Sequence, residues 1–238
     1  MIYGHRARIG YLSGPLYAEA YPYEFYKMAP EGVTVLISTL RYGGGTRAEM
    51  DECVRLGHEA ARAMAKAGAQ VIVQGVVPLN LAYGPEGVDT FVRRVKDECG
   101  LPATTSVTAQ MHALQALGAR RIAVLQIGTE PTAGLHDYMK SFGFEVVGSE
   151  FAGYVYDDLG RIPPEAPLEL ARKLAKQYPE ADTIYAPAPH MQFVVNIDML
   201  EQETGKNVVS AGQAIMWESL RICGVKDSLQ GFGRLFEK

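Results

Sequence analysis

Ala67-Gly-Ala-Gln-Val-Ile-Val-Gln-Gly-Val-Val-Pro78, followed by Leu101-Pro-Ala-Thr-Thr105 and a helical stretch ending at Gly118, is a unit that the chain writes twice. The second copy is Glu180-Ala-Asp-Thr-Ile-Tyr-Ala-Pro-Ala-Pro-His190, then Asn207-Val-Val-Ser-Ala211 and a helical stretch ending at Gly224. In the later part of each copy Thr104, Leu114 and Gly118 stand against Ser210, Leu220 and Gly224 without a gap. Such a duplication predicts two similar lobes whose strand ends face each other across a cleft, where open α/β sheets place their ligands.

Working outward, strand-like runs are expected at residues 8–13, 33–39, 70–73, 103–105, 121–126, 144–150, 183–186 and 207–210, with helical patterns between them. The clearest helix is expected over 47–66, where Met50, Cys53, Val54, Gly57, Ala61 and Met64 form one stripe. Several strands are continuous apolar runs, the pattern of a parallel sheet covered by helices on both faces. The expected fold is therefore α/β, two pseudo-symmetric, doubly wound, Rossmann-like lobes with a cleft between parallel strand ends. Residues 1–106 would form the first lobe, with 211–238 packing back on it, and 107–210 the second.

Composition bounds the function. The 238 residues carry a net charge of −4 with 47% apolar and 21% charged residues, which offers no basic face for nucleic acid. No stretch approaches the roughly 18 to 20 apolar residues of a membrane span, and Met1-Ile-Tyr-Gly-His-Arg-Ala-Arg8 lacks the apolar run of a signal peptide. A cytoplasmic protein is expected. Three cysteines without metal-like spacing, Cys53, Cys99 and Cys223, read as reduced thiols in packing roles. No metal constellation is visible, and Gly10-Tyr-Leu-Ser-Gly-Pro15 lacks the third glycine and acidic partner of a dinucleotide fingerprint. No cofactor is expected.

Position nominates the site. His190 follows the second copy's first strand by a few residues, and an imidazole there is suited to general acid or base work, or else simply caps the next helix. Arg41 and Tyr42 lie in Leu40-Arg-Tyr-Gly-Gly-Gly-Thr46, where a guanidinium can take a carboxylate bidentately or remain a surface charge. Tyr11 opens a tyrosine-rich segment with Tyr17, Tyr21, Tyr23 and Tyr26 beside Glu19 and Glu24, which reads as a loop whose phenols can donate to an oxyanion or as a dimer-interface or lid loop. Val76, Val77, Pro78 and Leu79 would make an apolar wall, and Gln74, Asn80, Tyr83, Gln126 and Thr129 polar wall positions. His5, His58, His112 and His136 fall on a terminus or on helices and read as structural.

The opening strand and its loop, Ala67-Gly-Ala-Gln-Val-Ile72, Gly100-Leu-Pro-Ala-Thr-Thr105, Ala116-Leu-Gly-Ala-Arg-Arg-Ile-Ala-Val124 and Gly231-Phe-Gly-Arg-Leu-Phe236 together resemble the aspartate/glutamate racemase superfamily, in its arylmalonate decarboxylase and maleate cis-trans isomerase branch. The resemblance spans nearly the whole chain. It implies a cofactor-independent lyase or isomerase acting on a small carboxylate, possibly cyclic or unsaturated, and a homo-oligomer. It also implies one or two catalytic cysteines, and their positions fall on Val76 and Ala188. Val77 and Pro78 stand where relatives carry small hydroxyl residues, Gly128 where the decarboxylase has a tyrosine, and Asp157, Asp158 and Leu159 where relatives have an Asn-Asn-Leu element. Arg41 stands near an arginine of the isomerases. Two readings follow: a decarboxylase-like enzyme with a non-cysteine acid or base, His190 or Tyr11, or a carboxylate-binding protein or degenerate subunit that keeps the cleft.

Overall fold

The computed structural model describes residues 2–43, 45–155, 158 and 161–238. Two four-stranded parallel sheets carry the fold. The first has the order β2-β1-β3-β4, from β1 (Ala7–Ser13), β2 (Val33–Thr39), β3 (Val71–Gln74) and β4 (Ala103–Thr105). The second repeats it as β6-β5-β7-β8, from β5 (Arg121–Gln126), β6 (Glu145–Phe151), β7 (Thr183–Ala186) and β8 (Asn207–Ser210). All pairings are parallel. β3 and β7 are buried at every residue, with three consecutive apolar residues in each, Val71–Val73 and Ile184–Ala186.

The expected strands and the helix over 47–66 form, with β3 and β6 each displaced by one residue and β1 beginning one residue earlier, at Ala7. Gln70 already donates its N–H to Arg8 O at the mouth of the ladder. Helix α2 (Arg47–Lys66) starts with a capping box between Thr46 and Glu49 and ends in Lys66, in keeping with the helix dipole. The tyrosine-rich segment differs from expectation: much of it is helix α1 (Ala20–Met28), whose Pro22 falls in the first turn, where a missing N–H costs nothing. Tyr21 and Phe25 face the core, while Tyr17, Tyr23 and Tyr26 are exposed.

The remaining helices are α3 (Val77–Cys99), α4 (Ser106–Ala116), α5 (Leu135–Ser141), α6 (Glu165–Gln177), α7 (Ile197–Thr204) and α8 (Ala211–Ile222). Helix α3 kinks at Gly84, whose φ of 61° is left-handed, just before Pro85. The repeats place α4 and α8 against each other. Thr105 caps α4 and Ser210 caps α8, each accepting the N–H three residues on. Thr105, not Thr104, is therefore the partner of Ser210, so the gapless match of the two copies is off by one residue at this end. Thr104 instead donates to Glu218 of α8, which also meets His112 of α4 at 3.0 Å.

One buried cluster runs through both lobes, from Tyr11, Tyr21 and Phe25 to Phe193, Val194, Ile197 and Ile215. Residues 211–238 touch both sides: Arg6 and Asp227 form a two-point ion pair, whereas Arg234 donates its backbone N–H to Glu201. Among the described residues no helix is long and apolar enough to cross a membrane.

Candidate active site

Sheet register fixes which residues of the two lobes correspond. The last pairs are Gln74 with Thr105 in the first sheet and Ala186 with Ser210 in the second. Counting onward, Gly75 corresponds to Pro187, Val76 to Ala188, Val77 to Pro189 and Pro78 to His190. These eight residues meet across one cavity of about 140 Å³, closed by Gly14, Tyr42, Ile127 and Thr132. That volume is below the roughly 300–1,000 Å³ of drug-sized sites and sets a small ligand.

The wall is apolar on most sides. His190 brings the imidazole, Tyr42 and Thr132 bring hydroxyls, and no Asp, Glu, Lys or Arg is on the wall among the described residues. His190 sits in a turn between β7 and α7, half-buried, and makes no hydrogen bond or ion pair among the described residues. Burial lowers its pKa to about 4, which leaves the imidazole neutral at neutral pH. Helix α3 begins at this wall with no side-chain cap on Val76, so peptide N–H groups of its first turn are left for other acceptors.

Of the residues singled out from sequence, Tyr42, Val76, Val77, Pro78, Ala188 and His190 come together here. Tyr11 does not reach the wall: it is fully buried and stacks on Tyr21 at 3.9 Å between centroids. Its ring fills the space beside Gly75 where a Cβ would stand, so it supports the wall from behind. Arg41 is exposed and off the wall, and is the only non-glycine residue at positive φ (61°) among those described. Gln126 is buried, its Oε1 accepting from Thr132 N, and so shapes the loop while Thr132 faces the cavity. Thr129 is exposed.

Gln74, Leu79, Asn80 and Tyr83 line a different, larger cavity of about 430 Å³ beside α2 and α3, together with Asp51, His58 and Phe91. Asn80 donates to Gln74 there, and the Tyr83 hydroxyl donates to Asp51. The smaller cavity is the better candidate because equivalent strand ends of both lobes build it, as expected of a duplicated α/β fold. Asp158 lies in a surface turn, where Arg161 donates to it; Asp157 and Leu159 fall outside the described residues. No group of three metal-ligating side chains occurs among the described residues.

Reading the sequence missed Gly14, Gly75, Ile127, Thr132, Pro187 and Pro189. Pro187 and Pro189 flank Ala188 in the quoted repeat, and register supplies the signal for Gly75. Thr132 has no local signal, because a long-range bond to Gln126 places it.

Paired sheets of like order with a shared strand-end cavity define a duplicated α/β scaffold of the enzyme type. The sequence model of the arylmalonate decarboxylase family matches residues 12–236, and the chain belongs to that family. It is 25% identical over 209 residues to arylmalonate decarboxylase of Bordetella bronchiseptica, across 85% of this chain and 86% of that one. Unliganded arylmalonate decarboxylase superposes with a TM-score of 0.84 at 24% identity, covering 97% of this chain and 99% of the other. Maleate isomerase from Pseudomonas putida S16 gives 0.83 at 22%, covering 97% and 98%. Maleate cis-trans isomerase from Nocardia farcinica gives 0.85 at 20%, covering 97% of each. The relatives are thus lyases and isomerases.

Proposed function

We propose that this chain is a decarboxylase-type enzyme for a small malonate-like acid, with His190 as its acid–base group and no catalytic thiol. The observation that carries the reading is the meeting of His190 with an apolar wall of Val76, Val77, Pro187 and Ala188 in one small cavity. None of the three cysteines lines it, and burial raises the pKa of Cys53, Cys99 and Cys223, the last to about 11.

In this reading one carboxylate lies against the apolar wall, where loss of hydration favours its departure as CO₂. The C–C bond electrons pass to the remaining carboxyl group as an enediolate. Peptide N–H groups at the start of α3, with the hydroxyls of Tyr42 and Thr132, supply neutral donors for that oxyanion. The entering anion raises the His190 pKa from its low value, the imidazole takes a proton from solvent, and it delivers that proton to the carbon. Decarboxylation needs one such donor, whereas racemisation needs an opposed pair, and the opposed positions Val76 and Ala188 carry no proton.

The experiment is incubation with phenylmalonate and product analysis, in the native protein and in His190→Ala. Phenylacetate and CO₂ that vanish in the variant support the reading. Binding without product points instead to a carboxylate-binding protein that keeps the cleft.

A further inference from the structure

Glu24 of α1 belongs to the first lobe, yet its carboxyl lies against the second. Its side chain is 3% exposed, and its Oε1 accepts the backbone N–H of Phe193 and, at 3.0 Å, that of Val194. Those amides end the loop 187–194, which begins at the last β7–β8 pair, Ala186 with Ser210. Between these anchors stand Ala188 and His190. Room for the carboxyl depends on Gly212 in the first turn of α8, where a Cβ would come within 3.1 Å of Oε2.

The surroundings hold no obvious counter-charge. Tyr21 lies one turn earlier on the same helix, with Tyr11 stacked on it. The loop presents Phe193 and Val194, and α8 presents Gly212. No ion pair reaches Glu24 among the described residues.

We propose that Glu24 is a positioning residue that ties the His190 loop to the first lobe through the Phe193 and Val194 amides, and so sets the closed geometry of the cavity. A carboxyl is costly to bury merely to hold a loop, and a serine or asparagine cap would suffice for one N–H. A two-amide grip from the opposite lobe instead links the place of the first lobe to that of His190. The idea rests on the reading of His190 given above, with Glu24 acting through the loop and touching no reacting atom. Burial holds the Glu24 pKa up at about 7 against the pull of the two amides, so the grip changes character near neutral pH.

The test reads the loop without requiring turnover: ¹H–¹⁵N resonances of Phe193, Val194 and Ala188, and the His190 ring, followed by NMR against pH in the native protein, Glu24→Gln and Glu24→Ala. In the native protein all four should report one transition near the Glu24 value of about 7. Glu24→Gln keeps an acceptor oxygen and the native shifts but abolishes that transition, and Glu24→Ala moves the Ala188 and His190 signals as well. Where phenylmalonate is turned over, Glu24→Ala lowers kcat roughly tenfold or more, and Glu24→Gln recovers most of it. Ala188 and His190 signals that ignore both substitutions while Phe193 and Val194 respond would overturn the proposal. If Glu24→Ala does not fold, a neutral-pH transition that persists at His190 in Glu24→Gln overturns it equally. Absence of phenylmalonate turnover with the NMR coupling intact would count against the assigned reaction and leave the positioning role standing.

Discussion

Val76 and Ala188 are counterparts: each stands two residues beyond the last paired residue of its strand, β3 or β7, and both line the same cavity. Neither side chain holds a proton. The wall is therefore asymmetric: among the described residues its titratable side chains are the Tyr42 phenol and His190, which corresponds by the same count to Pro78.

That asymmetry has a direct test by substitution. Val76→Cys together with Ala188→Cys places two thiols face to face, the arrangement racemisation requires. The double variant should exchange the α-proton of phenylacetate-type acids with deuterium at least about tenfold faster than the native protein. The NMR signal of the α-proton checks it.

Titration of His190 gives a pH signature. In the free enzyme its pKa is about 4, and an anionic ligand in the cavity raises it. The alkaline limb of kcat should accordingly lie at higher pH than that of kcat/KM. Its stability contribution has the opposite sense. A histidine depressed below its unfolded value of about 6.5 keeps the folded state fully favoured above that value and loses the benefit as pH falls toward 4. Native protein should thus melt earlier in acid than His190→Gln, as differential scanning calorimetry would show.

Glu24 works from the alkaline side. Its folded pKa of about 7 exceeds the unfolded value, so its contribution is complete at low pH and is lost as pH rises through about 7. Holding the ionised form buried costs on the order of 3 kcal/mol. Glu24→Gln should therefore match the native Tm in mild acid and exceed it in alkali.

Gly75 is constrained by Tyr11, whose ring occupies the space of a Cβ there. Gly75→Ala should cost about 1–3 kcal/mol by overpacking, read from urea denaturation. The larger cavity makes a control. Tyr83→Phe removes the bond to Asp51 there and should change turnover by less than about twofold.

Most of the fold was legible because the strands are short, largely apolar runs set between helical patterns, and β2, β4, β5, β7 and β8 begin and end where those runs do. The cavity wall at Val76–Pro78, Ala188 and His190 was legible for a related reason: the repeat locates both strand ends. Side chains one layer away were not. Leu79, Asn80 and Tyr83 sit on α3, where each residue turns roughly 100° from the last, and the helix phase sends them toward α2. Tyr11 sits within β1, and its orientation follows from the pleat and from the stacking of Tyr21, a contact made by a helix that Pro22 concealed. Glu24 carried no local signal, since its partners lie 169 and 170 residues away.

The most direct measurement is phenylmalonate turnover in D₂O, comparing native protein with His190→Ala. The account predicts CO₂ and phenylacetate carrying one deuterium at the α-carbon, with the rate falling about a hundredfold or more in the variant. A variant that makes the same product at the native rate, or a native protein that binds phenylmalonate and leaves it unchanged, would contradict it.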